Sequence, residues 1–231
     1  RAAAADLISS SVAIARAACV GTGDGVLVAG SIGPYGACLA DGSEYSGGYA
    51  SMAADELARW HRERFDILAE SADFLAMETI PCRSEVQALC TLLPSRPEAT
   101  CFIALACSSG ERLNSGERVA DAVADIERLD LAGQVEAVGV NCTSPRFVSE
   151  LIRTIRAKTD RPIVLYPNSG EIYDAESGTW LDGTTMQPED FAELSRGWFA
   201  EGASLVGGCC RVGPSAIAAV RAVAEEQGER G

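Results

Sequence analysis

Three cysteines of the sequence directly follow apolar runs that are predicted to form β-strands. Cys142 follows a run that ends at Val140-Asn141, and Cys209 and Cys210 follow the run Leu205 to Gly208. Thiolates bind zinc and other borderline or soft metals, and three protein ligands leave the fourth tetrahedral position open to a substrate. Glycines beside these cysteines let the backbone approach a ligand closely. The pattern predicts a catalytic zinc site if the fold brings the strand ends together.

The cysteine count alone does not decide which thiols are ligands. Of the nine cysteines, three more fall near strand ends, and another three are expected to be small buried hydrophobic residues. The first set is Cys38, Cys82 and Cys107, and the second is Cys19, Cys90 and Cys101. No C-x-x-C motif occurs, so a thiol-redox protein is the less favoured alternative.

Glu78 is the second group that suggests chemistry, because its carboxylate ends the apolar run Phe74 to Glu78. A carboxylate at such a place must be solvated, paired or functional. We expect either an ammonium group of a substrate as its partner or a salt bridge to Arg83 or Arg211. The single histidine, His61, lies in a predicted helix on the outside of the fold, so a Ser-His-Asp triad has little support.

Composition excludes several classes of function. The chain has 19 basic and 33 acidic residues and a net charge of −14, which disfavours nucleic acid as a partner. One histidine cannot supply a site with two or three histidine ligands. No apolar run approaches the roughly 18 residues of a membrane span, so no membrane partner is expected. With no recognisable secretory signal and an odd number of cysteines, we expect reduced thiols and a cytoplasmic location.

Six apolar runs predict the strands that position these residues. Continuous apolar character is typical of parallel strands covered on both faces. Prolines just inside helix starts, at 145, 188 and 214, mark helices that follow strands. The predicted strands are Val26 to Gly30, Phe74 to Glu78, Cys101 to Ala106, Val135 to Val140, Ile163 to Tyr166, and Ser204 to Gly207.

The strand spacing predicts one α/β domain over residues 1–231. Strands begin about 36 residues apart, which is typical of β/α repeats, and eight such units would need about 290 residues. The chain has 231 residues and opens on a helical pattern around Leu7, Ile8 and Val12. We therefore expect an incomplete TIM-type (β/α)8 barrel, with strands 3–8 present and the first two missing. A six-strand open sheet is the alternative, although no Gly-rich phosphate loop follows the first strand.

Two long loops, over 31–49 and 167–185, follow predicted strands and are rich in tyrosine and glycine. Both leave carboxyl ends of strands, where barrel enzymes build their sites. Loops of this length at that face favour a binding role over a purely connecting one.

Five ordered segments resemble the homocysteine S-methyltransferase family. They cover nearly the whole chain, which makes the resemblance far more specific than any one motif. The segments are Gly33-Pro34-Tyr35-Gly36 with Asp41 to Tyr45, Glu78-Thr79-Ile80-Pro81, Gly139 to Cys142, Pro167 to Glu171, and Gly207 to Arg211. The two loops look most like the branch that uses S-methylmethionine or S-adenosylmethionine, and less like the betaine- or cobalamin-dependent branches.

The resemblance implies a barrel that binds zinc through Cys142, Cys209 and Cys210. It implies that Glu78 holds the amino group of homocysteine, with Asn141, Gly207 and Gly208 as further substrate-binding candidates. Tyr35, Tyr45, Tyr166 and Asn168 are the candidates for the pocket of a cationic methyl donor, the tyrosines through cation–π contact. The family's first strand, with its acidic residue, and its second strand have no counterpart in the sequence.

The predicted function is zinc-dependent transfer of a methyl group from a sulfonium donor to the homocysteine thiolate, giving methionine. A free thiol is mostly protonated at neutral pH, so its binding to zinc would supply the nucleophile. A sulfonium carries its own leaving group and needs no general acid, which fits the scarcity of histidine. The alternatives are a non-catalytic barrel remnant and a thiol-redox protein. The sequence leaves open the donor, selenocysteine or another thiol as acceptor, and the oligomeric state.

Overall fold

The chain folds into alternating strands and helices. The computed structural model describes residues 2–21, 25–171, 173–174, 179–180 and 186–228. The helices are α1 (Ala2–Cys19), α2 (Tyr35–Leu39), α3 (Ser43–Ser46), α4 (Ala54–Ser71), α5 (Arg83–Leu92), α6 (Val119–Leu129), α7 (Val148–Arg156), α8 (Pro188–Ala200) and α9 (Pro214–Gly228). The strands are β1 (Ala29–Ile32), β2 (Phe74–Ile80), β3 (Cys101–Leu105), β4 (Val135–Asn141), β5 (Ile163–Tyr166), β6 (Tyr173–Asp174), β7 (Thr179–Trp180) and β8 (Leu205–Val206).

Six strands form one parallel sheet in the order β1-β2-β3-β4-β5-β8, and β6 and β7 form a separate antiparallel pair. Within the sheet each strand therefore lies beside the one that precedes it in the chain, apart from the inserted β6–β7 pair. A doubly wound sheet would instead reverse its order at a switch point, and the described strands show no such reversal. In the described part of the chain, β1 pairs only with β2 and β8 only with β5, and barrel closure is not seen.

Helices α4, α5 and α7 pack against the strands through apolar residues that recur at helical spacing. In α7, Val148, Leu151, Ile152 and Ile155 are all buried, and this i, i+3, i+4, i+7 pattern forms a single apolar stripe. Pro188 and Pro214 begin α8 and α9 as the sequence predicts. Since all six strands run parallel, their carboxyl ends lie at the same edge of the sheet.

Gly139 lets β4 approach β5 more closely than any other residue would allow. A Cβ atom at this position would lie 1.6 Å from the carbonyl oxygen of Val164, well inside van der Waals contact. This close approach fixes β4 just before it delivers Asn141 and Cys142 to the strand-end edge.

The predicted start of the first strand is wrong. The strand begins at Ala29, opposite Phe74 of β2, whereas Val26 and Leu27 precede it and are 52% and 65% exposed. The reason is that β2 itself begins at Phe74, so the residues before Ala29 have no strand beside them. Asp73 ends the pairing instead: its carboxylate accepts a hydrogen bond from the Val28 N–H, and its own N–H donates to the Val28 carbonyl.

The two long loops have structure of their own. Helices α2 and α3, which the sequence did not predict, lie in the first loop. The second carries the β6–β7 pair, while its residues 172, 175–178 and 181–185 lie outside the described residues. None of the nine cysteines, all in the described ranges, forms a disulfide. Across those same ranges, no helix has both the length and the apolar character needed to cross a bilayer.

Candidate metal centre

The sulfur atoms of Cys142, Cys209 and Cys210 converge at the strand-end edge of the sheet. The Sγ–Sγ distances are 2.7 Å between Cys142 and Cys209, 3.7 Å between Cys142 and Cys210, and 3.9 Å between Cys209 and Cys210. Cys142 directly follows β4, and the adjacent pair lies just beyond β8, with β5 between the two strands. Among the described residues, these three are the set of His, Cys, Asp and Glu side chains placed closely enough to share a metal ion.

The triangle of sulfurs fits a tetrahedral metal on two of its three edges. With Zn–S bonds of about 2.3 Å, thiolates on a tetrahedral zinc lie about 3.8 Å apart. The two edges that end at Cys210 match that value. The third edge, at 2.7 Å, is longer than a disulfide of about 2.05 Å and would have to open by about 1 Å to accept the metal.

Hydrogen bonds among the thiols favour one thiolate in the cluster. Those from Cys142 and Cys209 lower the pKa of Cys210 to about 3. The pKa of Cys142 is raised far above its ordinary range, because its bonds to Cys209 and Cys210 hold its proton and burial adds to the effect. For Cys209 the bond from Cys142 lowers the pKa, but the bond to Cys210 and burial raise it on balance. A cation bound here would replace the protons that the cluster otherwise retains.

Glu78 lies two residues before the end of β2, and its carboxylate links three strands. Its Oε1 accepts a hydrogen bond of 2.6 Å from the Ser31 hydroxyl at the end of β1, and its Oε2 accepts one of 2.9 Å from the Tyr166 hydroxyl at the end of β5. Burial, and next the charge of Glu78, raise the pKa of Tyr166, with smaller contributions from Cys209 and Cys142. The carboxylate, phenol and thiols therefore share one electrostatic environment.

The expected alternative partners of Glu78 are engaged elsewhere. Arg83 pairs with Asp125, and Arg211 pairs with Glu171. The carboxylate is thus held only by hydroxyl groups in the contacts described, which leaves its negative charge available to a cationic ligand.

Asn141 joins the end of β4 to the end of β2. Its Oδ1 accepts the Thr79 N–H at 2.7 Å and its Nδ2 donates to the Thr79 hydroxyl at 2.8 Å. Thr79 has φ of +61°, which is unfavourable for a β-branched residue. Cys142 and Arg211 also have positive φ, at +46° and +65°. Such strain is typical of functional sites, where neighbouring structure imposes the backbone conformation.

The segment from Gly207 to Arg211 is fixed by the second loop. The Cys209 N–H donates to the Pro167 carbonyl at 2.8 Å, and the Cys210 carbonyl accepts the Ser169 N–H at 3.0 Å. The Arg211 guanidinium binds both oxygens of the buried Glu171 carboxylate. These contacts fix the backbone that carries the thiols of Cys209 and Cys210.

Gly207 and Gly208 lie between β8 and the cysteine pair, and they line a cavity of about 320 Å³. A Cβ atom at Gly208 would lie 2.2 Å from Val212, so this tight turn leaves no room for a side chain. The cavity wall is otherwise largely apolar. Its remaining lining residues are Phe102, Val164, Leu165, Tyr166, Leu205 and Val206.

The four predicted donor-pocket residues are not all placed alike. The side chain of Tyr45, in α3, is 52% exposed, and its pKa is raised to about 12, first by its partial burial and then by the charges of Cys142 and Cys210. Tyr35 packs its ring against Tyr49 and Trp60, with centroids 5.3 and 5.1 Å away. Asn168 caps its own loop through Gly170, and its N–H donates to the Thr143 carbonyl. The backbone of Asn168 therefore lies beside the cysteine segments, because its neighbours Pro167 and Ser169 bond to Cys209 and Cys210. The described contacts do not bring Tyr35 to the sulfurs.

Sequence reasoning missed Ser31, Thr79 and a buried network around His61. His61 does lie in α4 as expected, but it is fully buried and contacts Glu85. Ser31 stands at the end of a strand, which is the same signal that identified Glu78. Thr79 and the His61 network carry no comparable sequence signal, because tertiary packing defines them.

Comparisons with known proteins place the chain in one family. The sequence model described as homocysteine S-methyltransferase matches residues 1–224. The chain is 43% identical to homocysteine S-methyltransferase YbgG of Bacillus subtilis, over 85% of this chain and 61% of that protein. It is also 43% identical to selenocysteine Se-methyltransferase of Brassica oleracea var. italica, over 84% of this chain and 56% of that protein.

One solved structure is also similar. The metallated form of the Escherichia coli homocysteine methyltransferase MmuM is 36% identical, with a TM-score of 0.79, over 94% of this chain and 70% of that one. The chain thus spans about three fifths of the length of the curated relatives it matches.

Proposed function

Because the chain belongs to the homocysteine S-methyltransferase family, we propose that it supplies the metal centre of an enzyme that methylates the sulfur of homocysteine. The proposed donor is a sulfonium, S-methylmethionine or S-adenosylmethionine, and the product is methionine. The observation that carries the proposal is the convergence of three cysteine sulfurs beside a carboxylate that no basic side chain neutralises in the described contacts.

We propose zinc as the metal, held by Cys142, Cys209 and Cys210. Three thiolates form a donor set typical of zinc sites, and two of the three sulfur–sulfur distances fit a tetrahedral ion. Zinc bound here would lower the pKa of the substrate thiol, so that the thiolate needed for attack forms at neutral pH. The ion pair between the buried Glu171 carboxylate and the half-exposed Arg211 side chain keeps the cysteine backbone in position, which reduces the rearrangement that binding requires.

For the acceptor, Glu78 is the proposed partner of the homocysteine ammonium group. Ser31 and Tyr166 orient both carboxylate oxygens, so a salt bridge can form without reorganising the carboxylate. Asn141, Gly207 and Gly208 are the proposed remaining contacts. Each group of the Asn141 side chain already makes one hydrogen bond to Thr79, and one N–H and one lone pair remain for a substrate.

For the donor, Tyr45 and Tyr166 are the proposed aromatic contacts to the sulfonium, with Tyr35 and Asn168 as the remaining candidates for its pocket. A lone pair of the homocysteine sulfur forms the new bond to the methyl carbon, and the donor's carbon–sulfur bond breaks. The donor sulfur leaves as a neutral thioether with that electron pair, so no side chain has to protonate it. The chain's own contribution is in-line positioning and exclusion of water.

We further propose that the six-strand sheet corresponds to strands 3–8 of a TIM-type barrel. The chain-order pairing and the single neighbour of β1 and β8 support this proposal. Leu27, just before β1, and Leu205 in β8 are 65% and 52% exposed, as expected for residues at open edges of the sheet. We also propose a cytoplasmic location, which the nine free thiols support.

Zinc analysis and a methyl-transfer assay test the proposal together. The chain should bind about one zinc ion through its Cys₃ set, and Cys142→Ser, Cys209→Ser and Cys210→Ser should each lose it. Cys38→Ser, which changes an exposed thiol outside the cluster, is the matched control. The full-length protein should form methionine from homocysteine and either sulfonium donor.

The outcomes separate the competing functions. Normal zinc content without transfer from either sulfonium donor or from betaine would refute the methyltransferase and leave the metal site intact. Weak or absent zinc binding together with inactivity would support a non-catalytic remnant. A reversible disulfide among the three cysteines, seen by mass spectrometry after mild oxidation without zinc binding, would support the redox alternative.

A further inference from the structure

A chain of buried polar groups joins the first loop to helices α4 and α5. We define the loop clamp as His61 and Arg64 of α4 and Glu85 of α5. The side chains of His61 and Glu85 are fully buried, and the proposed methyl transfer uses none of these three residues. Buried ionisable groups are retained only where hydrogen bonds compensate their desolvation, so their contacts are informative.

Three donors converge on the Glu85 carboxylate. The Tyr35 N–H donates to Oε1 at 2.6 Å, the Tyr49 hydroxyl donates to Oε2 at 2.5 Å, and His61 Nε2 lies 2.8 Å from Oε1. Two of these donors, Tyr35 and Tyr49, belong to the first loop. Burial, followed by the charge of Glu85, raises the pKa of Tyr49, so the phenol remains a donor.

Arg64 extends the clamp to a third point of the loop. Its Nη2 donates to the Gly33 carbonyl at 2.6 Å and lies 3.1 Å from His61 Nδ1. Arginine has no acceptor, so Nδ1 must accept this bond, and Nε2–H is left to donate to Glu85. The direction of every hydrogen bond in the clamp is thereby defined, from Arg64 through His61 to the carboxylate.

The anchored points, residues 33, 35 and 49, flank the part of the loop that carries Tyr45. On the other side of the loop, the Asn114 amide donates to the Glu44 carbonyl at 3.2 Å. Gly47 packs so closely on Ser115 that a Cβ atom would lie 2.6 Å from it. The Ser115 N–H in turn donates to the carbonyl of Pro81, which directly follows β2. The segment that carries Tyr45 is therefore attached on both sides and lies at the strand-end edge of the sheet.

We propose that the loop clamp fixes the segment that carries Tyr45 at the strand-end edge, which makes Glu85, His61 and Tyr49 positioning residues for the methyl donor. The assignment of Tyr45 to the donor rests on the proposed function, whereas the anchoring of the loop does not. The clamp acts on the loop and not on the metal ligands. Its loss should therefore change donor binding while the metal and homocysteine remain bound.

Tyr49→Phe is the mildest test, because it removes one hydroxyl and retains the ring that packs on Tyr35. His61→Gln is the second variant. Arg59→Gln, on the same helix in a mostly exposed pair with Asp55, is the control. Amide hydrogen exchange over residues 36–48 should accelerate about tenfold in both clamp variants, roughly the effect of one lost hydrogen bond, while exchange in α6 stays unchanged.

In the full-length enzyme, the KM for S-methylmethionine should rise about fivefold, whereas zinc content and the KM for homocysteine should stay within about twofold. Unchanged exchange over 36–48 would overturn the clamp, and so would equal acceleration in α6, which indicates general destabilisation. An equal rise in both KM values would overturn the donor-positioning role. If the wild type transfers no methyl group, the proposed function fails, and the exchange experiment still decides the anchoring.

Discussion

Replacing Glu78 by Gln tests the proposed substrate orientation most directly. The substitution removes a negative charge and adds almost no volume. Glutamine can still accept the hydrogen bond from Ser31, and its amide can donate to the Tyr166 hydroxyl, which rotates to accept it. The local hydrogen bonds therefore survive, and the change is confined to the charge offered to a substrate ammonium.

The size of the effect follows from the environment of the carboxylate. A hydrogen bond to a charged group contributes about 1.5–3 kcal/mol. Ser31, one of the two groups that hold Glu78, is exposed, so solvent screens this side and the lower part of the range applies. A loss of about 1.5–2 kcal/mol corresponds to a roughly 10- to 30-fold fall in kcat/KM for homocysteine.

The assay compares homocysteine with 4-mercaptobutyrate, which has the same thiol and carboxylate but no amino group. Glu78→Gln should lower the preference for homocysteine by that factor and leave activity on the analogue nearly unchanged. Tyr166→Phe removes a hydrogen bond but retains the charge, and should reduce the preference less. If Glu78→Gln impairs both substrates equally, the carboxylate does not recognise the ammonium group, and the reasoning is refuted.

Three further predictions concern stability. Gly139→Ala should lower the free energy of unfolding in urea titrations by at least about 3 kcal/mol, since the added methyl group meets the backbone of β5. The control is Gly197→Ala in α8, which has open space around it and should be neutral or stabilising by about 0.5–1 kcal/mol. Burial alone raises the pKa of Asp125, but hydrogen bonds from Gln87 and two arginines lower it on balance below its ordinary 3.8. A carboxylate whose pKa is lower in the folded state stabilises the fold above about pH 4, and this stabilisation is lost as the pH falls through the folded-state pKa. Asp125→Asn should therefore lower the free energy of unfolding at pH 7 and lower it progressively less below pH 4. Removing the metal with a chelator should lower the melting temperature of the wild type by roughly 5–10 °C. The melting temperature of Cys210→Ser should not change, because this variant should bind no metal.

Each of these has a clear contrary result. Equal stability of the two glycine variants would mean that the β4–β5 approach is not as close as described. A pH-independent effect of Asp125→Asn would show that the carboxylate acts through packing and not through its charge. A chelator effect that persists in Cys210→Ser would place the metal away from the three thiols.

The sequence predicts the strands well because parallel strands covered on both faces are continuously apolar. It fails at the first strand, since Val26 and Leu27 are as apolar as the residues after them but have no neighbouring strand. Whether a residue pairs depends on where β2 begins, and β2 lies more than forty residues along the chain. The apolar character of a residue indicates its tendency to be buried, whereas its pairing in a sheet depends on whether a neighbouring strand lies beside it.

At the site, the thiols and Glu78 were predictable because strand ends converge at one edge of a parallel sheet. The role of Asn141 in holding Thr79 was not, because it depends on the separation of two strands and on a backbone conformation that threonine rarely adopts. The burial of His61 was missed for a similar reason. A helix that faces outward still buries the side that packs on its neighbours, and only the packing of α4 on α5 and the first loop identifies that side.

The left-handed backbone at Thr79, Cys142 and Arg211 has a consequence for how the protein can change. At each such residue the left-handed conformation lowers the free energy of unfolding by about 1–2 kcal/mol relative to a favoured backbone conformation. The net free energy of unfolding of a protein is only about 5–15 kcal/mol. Glycine would relieve the strain but would delete a thiol, a hydroxyl or a cation. Variants selected for heat resistance alone should therefore drift towards glycine here, and variants selected for methyl transfer should not. Sequencing the two populations would identify the residues at which the side chain that the activity requires lowers the stability of the fold.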